Sequence, residues 1–460
     1  MGLAVAVRVP PRPAPLGLSL GVLSAVVIAA VITGLSAAAD SVTTYGVATS
    51  AILVGLVALM YWSRLAPSEP RFAQVVMLAL AFRCVMSMAH LAILVFYYRG
   101  GDALYYNEMT LLIGERFLSG DFTAMETFGG ATGYVFSYVL GVMYLLVGGS
   151  AIGQCLVSAM LAFAGGYLFL RAFEHEFPGA PSRRFVALSL FFLPSFAYWT
   201  SMLGKESWMT LSLGAVTWGF AKFVHRARLR YVAVIASGLL GTLIVRPAIG
   251  AIVLLALGAA LILRRPRGSA AMLWPVIIIV LMVAGAMVTS RAATFALAQK
   301  VAAEEVSKGV VNALFLQHVG LATDPTSRGS SLGVQITDPS IGGILRYLPV
   351  GIFTFLFRPM IFEAHNAVAA IAALETTFLL GLVVWRIRGL LRALRWMFAS
   401  PLVMFCLTMF GVVTVVLSFE SNFGAIVRHR AMPLPFLLML LGLPAFTRRR
   451  EPEPSTEAPA

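Results

Sequence analysis

What this 460-residue chain has little of is charge: 12% of its residues are Asp, Glu, Lys or Arg, against about a quarter in a typical soluble domain. That scarcity excludes an ordinary water-soluble fold. Combined with 59% apolar residues, it leaves a chain suited to lipid. Cysteine is scarce too. Cys84, Cys155 and Cys406 all fall inside apolar runs without CxxC or zinc-ligand spacing, which excludes a disulfide scaffold and makes them small buried apolar side chains. The six histidines include His318, His365 and His429, widely separated. Nothing has metal-site spacing, there is no GxxxxGK[ST] phosphate loop, and no Ser-His-Asp arrangement is legible. There is also no internal repeat, which weighs against transporter folds built from duplicated halves.

What is present is a series of uncharged runs from end to end. A helix needs about 20 apolar residues to cross a bilayer, because every backbone group must be satisfied internally. The runs 16–39, 43–62, 73–98, 151–172, 185–203, 207–224, 231–246, 248–263, 270–289, 366–385, 401–419 and 431–446 predict an all-α polytopic membrane protein with about 12 spans. The small residues of "SAAAD" near Asp40 resemble a signal-peptide cleavage site, but the run 16–39 is too long for a signal core and is read as a retained span. The expected organisation is two N-terminal spans in 1–72, a core in 73–289 with an outer loop at 99–150, and a second outer loop in 290–365 with a helical stretch near 291–317. C-terminal spans in 366–447 and a disordered tail in 448–460 complete it.

A net charge of +14 raises nucleic acid as a partner, but its placement excludes this. Basic clusters at Arg64/Arg71, Arg183/Arg184, 222–230, 264–267, 386–395 and 448–450 sit in short loops, as the positive-inside rule expects of cytoplasmic segments. They fall on one side only if the apolar stretches 134–148 and 347–357 do not cross. Those two are therefore expected to be interfacial or re-entrant, with both termini cytoplasmic. The cytoplasmic side then holds 21 Lys/Arg against six Asp/Glu, and the outer side 12 against 13.

The outward-facing polar residues are the candidates for chemistry, since charge at a membrane edge is costly. Asp102, in "RGGDALYYNE", precedes an interfacial helix over 103–118. It can serve as a general base for an acceptor hydroxyl, or as an N-cap. Glu108 lies six residues on. Lys205 and Glu206 in "LGKESWM" interrupt two apolar runs, flanked by Tyr198, Trp199 and Trp208, as a functional polar pair or an ordinary interfacial turn. Arg246 in "LIVRPAIG", Arg358 in "FLFRPMIFEAHN", and Arg428 and Arg430 in "ESNFGAIVRHRAMPLP" are four outward arginines. Arginine binds phosphate bidentately and keeps its charge when desolvated, so a lipid-linked phosphate is the expected ligand. Pairing with Glu206, Glu363 or Glu420, and snorkelling to lipid headgroups, are the alternatives, and His429 stands between two of the arginines. Within the spans, Arg83 and His90 share a helical face, and a buried Arg83–Glu375 pair is open.

The outer loop "GGDALYYNEMTLLIGERF", the following "TGYVFSYVLGVMYLLVGGSAIGQCLVSAMLAFAGGYLFLRAF" and "LGKESWM" resemble the GT-C class of integral membrane glycosyltransferases over roughly residues 73–265. The resemblance implies a GT-C-like fold, a polyprenyl-phosphate-linked sugar donor, a glycan or lipid acceptor, and work on the outer face of a bacterial-type inner membrane in cell-envelope assembly. It implies Asp102 as the catalytic acid/base and Glu206 as a second acidic residue. A divalent metal would be compatible, although no metal motif is present. "FRPMIFEAHN" and "ESNFGAIVRHRAMPLPF" also look like motifs of bacterial envelope polysaccharide polymerases. A polymerase or ligase of lipid-linked glycans is therefore the alternative, with a 12-span glycolipid transporter or flippase as the alternative of another class.

Overall fold

A computed structural model describes residues 41–123, 131–262, 341–364, 367–420 and 423–445. Every regular element among them is helical. In chain order they are α1 (Ser41–Leu65), α2 (Pro70–Ala92, continued by a π-helical turn Ile93–Tyr98), α3 (Asp102–Leu118), α4 (Ala131–Val147), α5 (Ala151–Glu176), α6 (Arg183–Phe192), α7 (Pro194–Thr200) and α8 (Lys205–His225). There follow α9 (Leu229–Val245), α10 (Pro247–Ile262), α11 (Ile341–Phe357), α12 (Ala367–Trp385), α13 (Ile387–Trp396), α14 (Pro401–Leu417), α15 (Phe423–His429) and α16 (Leu434–Leu441). The expected spans at 16–39 and 270–289, the helical stretch near 291–317, His318 and His365 lie outside the described residues.

Among the described residues, fewer helices than the expected 12 spans are long and apolar enough to cross a membrane. Thr44–Leu65, Pro70–Tyr98 and Ala151–Glu176 are long and apolar enough to cross a membrane; the pair Ala370–Trp385 and Ile387–Trp396, bent by 56°, makes a fourth if counted as one span. Elsewhere local chemistry shortens the runs. The expected runs 231–246 and 248–263 form separate helices of 17 and 16 residues on either side of the break at Pro247, each about 25 Å long against a hydrocarbon core of about 30 Å. Pro194 breaks 185–203 into α6 and α7, and 431–446 keeps only the eight-residue α16.

The core is a bundle around α5, which packs most extensively on α8. Their backbones approach through glycine. A Cβ on Gly214 would lie 2.5 Å from the Gly165 carbonyl oxygen, and one on Gly238 of α9 2.6 Å from that of Ser212. Small residues at crossings are how helices associate where lipid removes the hydrophobic drive between them.

Polar residues gather at the two ends of this bundle. At one end, Arg183 bonds both Glu69 and Glu174 at 2.5 Å, His225 meets Glu176 at 2.9 Å, and the Ser400 hydroxyl donates to Glu176 at 2.6 Å. Arg183 and His225 come from the clusters expected on the cytoplasmic side. The other end holds Asp102, Glu206, Arg246 and Arg428. Helix α4 has both ends there: Phe136 packs on Tyr106, with ring centroids 5.3 Å apart, and the Val147 carbonyl lies against Gly46. Helix α11 behaves alike, with Tyr347 against Phe419 and the Phe355 carbonyl on Arg430.

Between the ends, Arg83 and Glu375 serve the break at Pro194 rather than each other, which answers the open question of their pairing. Proline has no N–H, so the Leu190 carbonyl loses its helical donor; Arg83 Nη2 donates to it at 3.1 Å, while Nη1 bonds Thr200 Oγ1. On the far side of the break, the freed Ser195 N–H donates to Glu375 Oε1 at 2.5 Å. The guanidinium also lies 4.6 Å from the Phe196 ring centroid. Arg83→Leu is expected to leave these acceptors unsatisfied and to lower stability by about 1–3 kcal/mol, read as a fall in Tm in detergent. Pro194→Ala, which restores the missing N–H, should recover part of that loss in the double variant. Additive losses would refute this role.

Candidate functional site

The site forms where four chain segments end at one face of the bundle. Helix α2 unwinds through its π turn, Arg99 adopts a left-handed φ of 52°, and Gly101 reaches φ 132°, a conformation that favours glycine. This sharp turn starts α3 with Asp102 as its first residue. The N-cap expected of Asp102 is corrected: Gly101 is the cap, and the Asp102 carboxylate turns to the Arg428 guanidinium instead.

Glu206 enters on the first turn of α8, where the helix dipole favours an anion. Arg246 is the residue between α9 and α10, placed by the break that Pro247 imposes. Arg428 comes from α15. Its Nε donates to Glu206 Oε1 at 2.6 Å, while its Nη1 pairs with Asp102. Arg246 Nη2 donates to the same Glu206 oxygen at 2.8 Å. Arg428 therefore bridges two carboxylates, and Glu206 is shared by two guanidiniums.

The two acids differ in access. The Glu206 side chain is 1% exposed and that of Asp102 39%. Glu206 precedes the apolar run 207–224. Burial pushes its carboxyl up, but the Arg428 and Arg246 charges outweigh this and hold it down to about 2. Burial likewise lowers Arg428, and the Glu206 and Asp102 charges more than offset it, raising its pKa overall. Lys205, beside Glu206, lies 5.7 Å from the Phe136 ring centroid. Burial, then Arg246, pushes its ammonium down to about 8. His429 is lowered by burial, then by Arg246. Its Nδ1 lies 2.8 Å from Glu420 Oε2. A carboxylate only accepts, so the neutral imidazole carries its proton on Nδ1.

The remaining candidates are placed elsewhere. Arg358 pairs with Glu363, Nε to Oε1 at 2.8 Å, and Arg430 donates to the carbonyls of Phe355 at 2.7 Å and Arg358 at 2.5 Å. These two arginines are not brought to the Asp102–Glu206–Arg428 cluster; their guanidiniums hold the turn after α11. Glu108 is exposed on α3, and no described polar contact joins it to the cluster. Sequence reasoning missed Tyr106. It is buried, and it flanks Gly204 together with Glu206: a Cβ on Gly204 would lie 3.2 Å from Glu206 Oε2 and 3.7 Å from the Tyr106 ring. Its spacing of four residues from Asp102 on one helix was the available signal. Among the described residues no group of three or more His, Cys, Asp and Glu could hold a metal ion.

No family model, curated protein or solved structure matches the chain, so the functional reading rests on its residues and their geometry.

The burial difference has a measurable consequence. Glu206→Gln strands two guanidiniums without their buried counter-ion, and a loss of about 3–5 kcal/mol is expected. Asp102→Asn removes a half-exposed partner and should cost at most about 1 kcal/mol. Chemical unfolding of both variants in detergent checks the order; equal losses would contradict it. The Glu206 carboxyl is depressed from 4.5 to about 2, so its contribution to stability is full above about pH 4.5 and is lost as pH falls toward 2.

Proposed function

We propose that the chain is an integral membrane glycosyltransferase. It transfers a sugar from a polyprenyl-phosphate-type lipid donor to a glycan or lipid acceptor of the cell envelope, on the outer face of a bacterial-type inner membrane. The observation that carries this reading is the convergence of Asp102, Glu206, Arg246 and Arg428 on one end of an apolar bundle. An acid open to water and arginines at membrane depth are what a lipid-linked phosphate and a water-borne hydroxyl would each require. In this reading the arrangement is GT-C-like, the shorter apolar helices lie in the bilayer with the long ones to give about twelve crossings, and both termini are cytoplasmic.

Asp102 accepts the proton of the acceptor hydroxyl as that oxygen bonds to the anomeric carbon of the sugar. The bond from that carbon to the donor phosphate oxygen breaks, and its electron pair leaves with the phosphate. Arg428, Arg246 and Lys205 stabilise the charge that develops. Glu206, buried under both arginines, positions them rather than touching substrate. The charges set an order of events. Lys205, next to Glu206 on the first turn of α8, adds a third cation beside Arg428 and Arg246 for an incoming phosphate. As the phosphate engages Arg428 it displaces Asp102, and the carboxylate becomes available as a base.

Asp102→Asn should lower transfer by about 10²–10⁴-fold in membranes supplied with labelled polyprenyl-phosphate sugars, with protein level unchanged. Arg428→Ala should lower it too, and Arg428→Lys should restore part of the loss. Full transfer by the Asp102→Asn variant would overturn the proposal. Because burial holds the Lys205 ammonium down to about 8, transfer should decline as pH rises through about 8, where its charge is lost. Lys205→Arg should remove that alkaline limb. A limb that does not move would exclude Lys205 from the phosphate site.

A further inference from the structure

At the end of the bundle opposite the candidate site, α12 bends by 56° into α13, whose sequence is IRGLLRALRW. Helical periodicity sorts this element into three stripes. The first holds Gly389, Ala393 and Trp396 and faces the chain after α16. Gly389 and Ala393 are buried, and the Trp396 indole N–H donates to the Pro444 carbonyl at 3.2 Å. Arg386 and Arg392 strengthen this clamp, donating to the carbonyls of Leu441 at 3.2 Å and Leu443 at 3.0 Å. A Cβ on Gly389 would run into the Leu441 carbonyl, so the helix is docked closely. The second stripe is apolar and exposed: Ile387, Leu391 and Leu394, continued by Phe398, which is 70% exposed. The third, about a quarter turn from it, holds Arg388 and Arg395, both exposed and paired with no carboxylate among the described residues. The helix itself contains no acidic residue.

We propose that α13 is an interfacial anchor that binds anionic phospholipid headgroups. The clamped stripe fixes its rotation. That rotation sends Leu391 and its neighbours toward acyl chains and sets Arg388 and Arg395 beside them, at headgroup level. A zwitterionic lipid satisfies the apolar stripe equally well. The two arginines are what select net negative charge, and no carboxylate on the helix itself competes with the lipid phosphate. The membrane surface is favoured over an acidic protein because the basic stripe adjoins an exposed apolar one, the pattern of an in-plane membrane helix.

The test places a bimane fluorophore on a Leu391→Cys variant of the full chain; Cys84, Cys155 and Cys406 are buried and stay unlabelled. The protein is reconstituted with a small fraction of brominated phosphatidylglycerol or brominated phosphatidylcholine, and quenching is compared. Phosphatidylglycerol should be preferred by several-fold at low salt, up to about 25-fold if each arginine contributes about fivefold, and less at high salt. Arg388→Gln with Arg395→Gln should abolish the preference while both lipids still quench. Lysine at both positions should preserve it and show that the helix is still docked. Equal quenching by the two lipids with the arginines intact would overturn the proposal. So would an absence of quenching by either, since the stripe would then be covered by protein.

Discussion

The constraint on which the site depends is the burial of Glu206 between two guanidiniums. A carboxylate that is 1% exposed has lost its hydration, and only close, hydrogen-bonded cations can compensate for that. Arg428 and Arg246 do so from segments 222 and 40 residues away along the chain. The pairing therefore fixes more than two side chains. It holds the break between α9 and α10, the start of α8 and the segment carrying α15 at one point, and it aims the free arm of Arg428 at Asp102.

The same economy appears at two interruptions of this chain's helices. Each frees backbone groups that lipid cannot satisfy, and charged side chains from other elements meet them. At Pro194 the freed carbonyl takes Arg83 and the freed N–H takes Glu375. After α11 the carbonyls of Phe355 and Arg358 take Arg430. At Pro247 the break turns Arg246 itself into the site. A charge inside an apolar run is thus either part of the site or a replacement for a missing backbone partner, and its neighbourhood decides which.

That distinction also marks how much was legible in the sequence. The helical class followed from the apolar runs, and the sorting of polar residues to two ends followed from the positions of Lys and Arg. Asp102, Glu206, Arg246 and Arg428 could be nominated because each is a charge at the edge of a greasy stretch. What could not be read was partnership. Arg358 and Arg430 have the same Arg-in-apolar signature as Arg246, yet they hold a turn, because pairing depends on how α11 and α15 pack rather than on local spacing. The span at 185–203 was overestimated for a related reason: hydropathy does not register that Pro194 cuts the run into pieces shorter than a bilayer, whereas the break at Pro247 already separated two runs. The N-cap at Asp102 was a sound local expectation, displaced by a guanidinium from residue 428.

The placement of intramembrane charge bears on what kind of membrane protein this is. A transporter needs polar groups along a path that a substrate can follow from one side to the other. The three candidates for such a path were Arg83, His90 and Glu375. Arg83 and Glu375 already make the hydrogen bonds that repair the α6–α7 break, and moving either would unmake that repair. His90 is buried against Tyr198, with ring centroids 4.1 Å apart, and against Trp199 at 5.3 Å. Among the described residues, then, these three polar groups inside the bundle are held in place, and the paired acids and arginines lie at its two ends. That placement weighs against a polar path along the bundle.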